Sequence, residues 1–266
     1  PMTDPTADSA GPDFLDPEER ALADRFCAAG RVVMPAEDRA GLDRIRAEVA
    51  SLAAGHLDMP APGDAGTFLA GIHERVRGDA LNALRLAVFG GMSALPWLRP
   101  TYFRLARRTV EQLVGNELAM QRRINLSVQL PGDDSSLLPL HSDVWSGDSP
   151  FEMVLWVPLV DCRGSMSMFL LPPGPNEALQ KRFAGYAGRP VEDIYRDVEA
   201  DLDWVEIRYG EVMLFNQCLA HGNRVNRETT TRWSMNCRFK GVFTPYADKR
   251  LGEFFEPITL RPASRI

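Results

Sequence analysis

Arg232-Trp233-Ser234-Met235-Asn236-Cys237-Arg238-Phe239 alternates polar and apolar side chains without a break. Successive side chains of a strand point to opposite faces. This period of two therefore sets Arg232, Ser234, Asn236 and Arg238 against Trp233, Met235, Cys237 and Phe239. The pattern recurs upstream, where Arg123, Asn125, Ser127 and Gln129 alternate with Ile124, Leu126, Val128 and Leu130. A sheet that merely covers a core turns its polar face to water, but a face of Asn, Gln, Ser and Arg can equally line a polar cavity. Trp233 and Phe239 suit packing against helices. A β-sandwich or open barrel with helices outside and a polar pocket inside fits both faces; a plain amphipathic sheet is the alternative.

Around these two segments the chain divides at about residue 116. Strand-like runs cover 151–160, 165–171, 204–208 and 212–216, with helical insertions at 177–186 and 191–198. The half before 116 is mostly helical. Asp16-Pro17-Glu18-Glu19 supplies a cap, a first-turn proline and acidic first-turn residues, and Gly30 ends that helix. A short strand at 31–34 precedes a helix over 36–54 with Leu42, Ile45, Val49 and Leu52 at helical spacing. A Pro/Gly-rich loop (60–66) leads to helices at 79–95 and 101–114. Residues 1–15, rich in Pro, Asp, Ser and Gly, are expected to form a flexible tail. The expectation is one domain over 16–266, with a helical part at 16–115 and a β core at 116–246.

Composition narrows the function. The 266 residues carry 45% hydrophobic and 25% charged side chains, an ordinary globular mix. The net charge of −6 argues against nucleic acid as a partner, because phosphate binding needs a concentrated positive surface. The longest nearly apolar run, 86–98, is broken by Gly-Gly, Ser and Pro and is too short to span a bilayer. Cys27, Cys162, Cys218 and Cys237 show no metal-type spacing and read as buried, reduced thiols. With no basic and apolar leader pattern, a cytoplasmic location and a small-molecule partner are expected. Oligomeric state is not legible.

Four histidines are present. His56, at a helix end, and His73, on a polar helical face, read as structural. His141-Ser142-Asp143 differs, because in an extended chain an imidazole and a carboxylate two residues apart point the same way. His221, 78 residues after Asp143, is the other histidine of the β half. Two imidazoles and one carboxylate make the facial triad of non-haem Fe(II) oxygenases, which leaves three metal positions open. Eleven residues after His221, Arg232 and Ser234 place a guanidinium fork and a hydroxyl on one strand face, a suitable receptor for a carboxylate deep in a pocket.

With His141-Ser142-Asp143, His221-Gly222-Asn223 and Arg232-Trp233-Ser234 together, the chain resembles the Fe(II)/2-oxoglutarate-dependent dioxygenase superfamily. The helical first half and the stretch HSDVWSGDSPFEMVLWVPLVD (141–161) are most similar to its phytanoyl-CoA-hydroxylase-like branch, in bacterial members of carbohydrate or natural-product clusters. The motifs span about 116–246. The resemblance implies an α+β fold: a double-stranded β-helix (jelly roll, cupin-like) core with the helical half packed outside. It makes His141, Asp143 and His221 the ligands of Fe(II). The co-substrate 2-oxoglutarate would chelate the metal through its keto acid, with its far carboxylate on Arg232 and Ser234. Asn125 and Gln129 stand where relatives place co-substrate contacts; cavity-lining or sheet-edge roles are the alternative.

Trp145 and Asp148 are candidate pocket-rim residues. Arg238 either holds a substrate anion or pairs with an acid such as Glu211. Trp156, Met153, Met166 and Met168 read as core, and Asn223 and Asn226 as turn-ordering residues. The implied chemistry consumes O2, releases succinate and CO2, and hydroxylates an unactivated C–H bond of a polar small molecule such as a sugar or natural-product intermediate. Relatives that halogenate replace the carboxylate with a small residue, so Asp143 disfavours halogenation. Desaturation, cyclisation and epimerisation by the same oxidant stay open. Two other classes also remain: a cupin-like metalloprotein without 2-oxoglutarate, and a non-catalytic binding module.

Overall fold

The structure, a computed structural model, describes residues 14–78 and 80–265. Residues 1–13 of the expected tail lie outside the described residues; Phe14 and Leu15 are exposed. Asp16 accepts from the N–H groups of Glu18 and Glu19, both at 2.9 Å, while Glu19 accepts from the Asp16 N–H. This capping box starts α1 (Pro17–Ala29). Gly30, at φ 66°, ends the helix in the left-handed region and delivers the chain into β1 (Arg31–Pro35). The next helix, α2 (Arg39–His56), buries Leu42, Ile45, Val49 and Ala53 completely. Then follow α3 (Ala65–Ala70), α4 (Ala80–Ser93), α5 (Leu98–Arg104) and α6 (Arg107–Val114).

Two expectations are corrected here. Asp64 caps α3, which begins inside the stretch read as loop. The helix read over 101–114 is two, because the backbone leaves helical geometry at the fully buried Ala106 (φ −148°).

From residue 118 the chain builds sheets through β2 (Leu118–Gln121), β3 (Asn125–Gln129), β4 (Glu152–Pro158) and β5 (Phe169–Leu170). Two helices, α7 (Pro173–Arg182) and α8 (Val191–Val198), are inserted next. The remaining strands are β6 (Asp203–Trp204), β7 (Glu211–Asn216), β8 (His221–Gly222), β9 (Arg232–Gly241) and β10 (Phe255–Pro257). Seven strands form an antiparallel sheet in the order β1-β7-β4-β9-β2-β10, with β3 also on β9. The sheet thus takes in β1 from the helical half and β10 from beyond the expected limit of 246. A smaller sheet orders β6-β5-β8, and His141 extends it by a bridge to His221. The run at 204–208 is mostly not strand; only Trp204 lies in β6, while Ile207 bridges Cys162.

The apolar face of β9 meets the helices. Trp233 Nε1 donates to the Leu69 carbonyl of α3 (3.0 Å), and the Phe239 ring lies 5.8 Å from Phe103 of α5. Tyr102 ties α5 to β4 by donating its hydroxyl to the Leu155 carbonyl (2.8 Å). One large core fills the space between helices and main sheet. A second, with Leu179, Ile194, Tyr195 and Val198, packs α7 and α8 against Phe169 and Leu171 around the small sheet. Among the described residues no helix is long and apolar enough to cross a membrane. The four cysteines are unpaired, but only Cys162 and Cys237 are buried; Cys27, on the outer part of α1, is exposed.

Candidate metal centre and the cavity behind it

Register decides what faces inward. Across β3 and β9, Asn125 stands opposite Asn236, Ser127 opposite Ser234 and Gln129 opposite Arg232. Across β4 and β9, Val154 opposes Arg238 and Trp156 opposes Asn236. These inward faces and the small sheet enclose a cavity of about 380 Å3, lined by Asn125, Ser127, Arg232, Ser234, Asn236 and Arg238 from one side. From the other come Met168, His141, Asp143 and His221. Trp156 and Met168, read as core, are both buried and cavity-lining.

His141 and His221 exchange backbone hydrogen bonds in both directions, at 2.9 and 2.7 Å, which brings their rings to a centroid separation of 4.3 Å. Asp143 is not in extended chain. It opens a 3-10 turn, anchored by its N–H to the Gln217 carbonyl (3.2 Å) and by Ser142 Oγ to the Gln217 and Cys218 carbonyls. Asp143 Oδ1 nevertheless lies 3.5 Å from His141 Nε2. One donor atom each from His141, Asp143 and His221 falls within 4.8 Å of the others.

The tautomers follow from the partners. His141 Nδ1 lies 2.8 Å from the Pro139 carbonyl, and His221 Nδ1 lies 2.8 Å from the Leu219 carbonyl. A carbonyl can only accept, so each Nδ1 carries the proton and each Nε2 keeps a lone pair for a metal. Burial pushes the His221 imidazole down to about 4, helped by His141, which keeps it neutral and able to ligate. Burial opposes ionisation of Asp143, but its polar neighbours prevail, the Arg238 guanidinium that donates to Oδ2 among them, and hold it below the usual carboxylate range. Two imidazoles with Nε2 turned towards one point and an ionised carboxylate fit a divalent first-row metal.

Arg238 pairs with an acid, as one of its two readings expects, but the acid is Asp143 and not Glu211. Its Nη2 donates to Asp143 Oδ2 at 2.7 Å and its Nε to Gln217 Oε1 at 3.0 Å. Gln217 Nε2 donates onward to the buried Glu152 (3.1 Å). Glu211 instead accepts from the Arg208 N–H, so the pairing expected for it does not form.

Arg232, only 3% exposed, donates through Nη2 to Ser127 Oγ (2.9 Å), and its buried Nε has no partner. No acid among the described residues pairs with it. Burial pushes it down to about 10, so it remains a cation at neutral pH. Asn125 lines the cavity and donates to Asn236 Oδ1 at 2.9 Å.

Three other candidates are placed elsewhere. Gln129 is fully buried, turned onto the Arg224 carbonyl and absent from the cavity wall. The Trp145 ring packs on Phe183 at 4.5 Å, and Asp148 is buried against Lys249 (2.6 Å); neither lines the cavity. Arg85, which sequence reasoning missed, does line it, reaching from α4.

By sequence, the chain matches no protein-family model and no curated protein. By fold it is similar to a non-heme monooxygenase solved as a ThoJ–Ni complex, with 17% identity, TM-score 0.57, and coverage of 91% of this chain and 85% of that one. It is also similar to HygX from Streptomyces hygroscopicus with nickel and 2-oxoglutarate bound: 19% identity, TM-score 0.52, coverage 89% and 90%. A third likeness is to AviO1 from Streptomyces viridochromogenes Tue57, with 17% identity, TM-score 0.54, and coverage 86% and 97%. The chain has the mixed helix and antiparallel-sheet fold of these proteins.

Proposed function

We propose that residues 16–266 act as one non-haem Fe(II)- and 2-oxoglutarate-dependent oxygenase built on a double-stranded β-helix, hydroxylating a C–H bond of a polar small molecule. One observation carries the reading: a two-histidine, one-carboxylate cluster opens onto the same cavity as a buried arginine that no acid among the described residues meets. A metal site alone would leave that arginine unexplained. A dianion that chelates the metal at one end and carries a carboxylate at the other satisfies both. HygX, of similar fold, is solved with nickel and 2-oxoglutarate bound, which supports the choice.

His141, Asp143 and His221 would hold the metal, and Arg232 with Ser234 the far carboxylate of 2-oxoglutarate. When bound, iron and 2-oxoglutarate supply an O2-derived oxidant able to attack an unactivated C–H bond, with release of succinate and CO2. The chain's own contribution is placement. The carbonyls of Pro139 and Leu219 fix both imidazoles with Nε2 free. Arg238 occupies one oxygen of Asp143 and leaves the other for the metal. The apolar walls at Val154, Trp156 and Phe215 limit water around the reacting carbon.

The test is succinate formation by the iron-loaded protein with 2-oxoglutarate and a panel of sugars, nucleotide sugars and acidic metabolites under labelled O2. Substrate-stimulated succinate and a product carrying one labelled oxygen are expected, in high chloride as well. A product two hydrogens lighter and unlabelled would move the reaction to desaturation or cyclisation. No consumption of 2-oxoglutarate with any compound would remove the reading.

A further inference from the structure

The described cavity wall carries three arginines, Arg85, Arg232 and Arg238, against a single carboxylate, Asp143. Arg238 is neutralised by Asp143. On the functional reading above, Arg232 is met by the far carboxylate of 2-oxoglutarate. Arg85 is then the arginine with nothing to meet. It is half-buried on α4; among the described residues its one hydrogen bond is a long 3.4 Å contact to Asn82, and no acid pairs with it. A second observation points the same way. Ser136, across the chain from α4 in the loop before His141, also lines the cavity, and its hydroxyl is buried without a partner. A guanidinium and a hydroxyl left unsatisfied in the lining of one cavity are the donor set that an oxyanion completes.

We propose that Arg85 and Ser136 form a receptor for an anionic group of the substrate, a carboxylate or a phosphate, so that the enzyme selects acidic small molecules. This rests on the oxygenase reading, because it assigns Arg232 to the co-substrate. The geometry also assigns a division of labour. Arg232, 3% exposed and on β9, holds the co-substrate, while Arg85, on a helix at the cavity wall and more accessible, selects what is oxidised.

The experiment uses the full chain loaded with Co(II), a paramagnetic stand-in that does not turn over, and saturated with 2-oxoglutarate. Methylphosphonate is titrated and followed by 31P relaxation, and 13C-labelled acetate by 13C relaxation. The two arms separate a phosphate from a carboxylate preference. Wild type should give saturable relaxation enhancement with at least one probe. Arg85→Gln should weaken that binding about tenfold or more, with Arg85→Lys in between. Titrated separately, 2-oxoglutarate should bind wild type and Arg85→Gln within about twofold. Equal enhancement in wild type and Arg85→Gln, or none with either probe, overturns the proposal. So does a loss of 2-oxoglutarate affinity in Arg85→Gln as large as in Arg232→Gln, which would put Arg85 on the co-substrate. Failure of wild type to bind 2-oxoglutarate at all would instead overturn the oxygenase reading, so the two failures are distinct.

Discussion

Asp143 does its work through residues it does not neighbour in sequence. Arg238 reaches it across 95 positions, and Arg238 is held in turn by Gln217 and, through Gln217, by the buried Glu152. A ligand whose outer oxygen is tied down loses less freedom when the metal arrives. Groups of this kind typically affect metal affinity by about 10–100-fold. Arg238→Met should therefore weaken divalent-metal binding on that scale by calorimetric titration. Arg238→Lys should recover only part of it, since one ammonium lacks the planar fork that serves Asp143 and Gln217 together. Unchanged affinity in Arg238→Met would make the contact incidental. The clustering of His141, Asp143 and His221, and the placement of Arg232 and Ser234 on the same cavity, were legible from residue type and spacing. The true partner of Arg238 was not, because an ion pair across 95 residues leaves no local pattern. The partners of Trp145 and Asp148 were hidden for the same reason: Phe183 and Lys249 are far along the chain.

The elements were most legible where the period was regular and least where strands were short. The alternation of β3 and β9 carried both their faces, and α8 agreed with its expected bounds at 191–198. β5, β6 and β8 are only two residues each, too short for any period to show. Gly222 in β8 illustrates what such a strand depends on. A Cβ there would stand 2.7 Å from the Leu138 carbonyl oxygen and 2.9 Å from that of Pro139, the backbone that leads into His141. Gly222→Ala must push that segment away and with it the ligand. Metal affinity should fall by about tenfold or more while far-ultraviolet circular dichroism is retained; intact affinity would show that the segment gives way freely. On the helix-covered side of the main sheet, Tyr102→Phe leaves the buried Leu155 carbonyl without the Tyr102 hydroxyl. A cost of about 1–3 kcal/mol is expected by chemical denaturation, with little change in metal binding.

For the whole molecule, the site draws its residues from three parts of the fold. His141 and His221 extend the small sheet, Arg232 and Arg238 belong to the main one, and Arg85 comes from the helical layer. Ligands that bridge these parts should stabilise the folded chain against the unfolded one. At one hundred times its dissociation constant a ligand contributes about 2.7 kcal/mol, roughly 5–10 °C in melting temperature for a domain of this size. Metal should therefore raise the melting temperature, and 2-oxoglutarate should raise it further only when metal is present. A full 2-oxoglutarate increment in metal-free protein would argue against chelation.

The oxygenase reading requires one ligand to span from the metal to Arg232. Its most direct test is an anaerobic titration of 2-oxoglutarate into the Fe(II)-loaded protein, followed by the visible absorption band that keto acid chelation produces. The band should grow to saturation in wild type and be absent from His141→Ala. In Arg232→Gln it should require roughly 30-fold more 2-oxoglutarate or beyond, since removing one partner of a buried charge pair costs about 2–5 kcal/mol. A wild-type protein that binds iron but develops no band, or an Arg232→Gln curve superimposable on wild type, would contradict it.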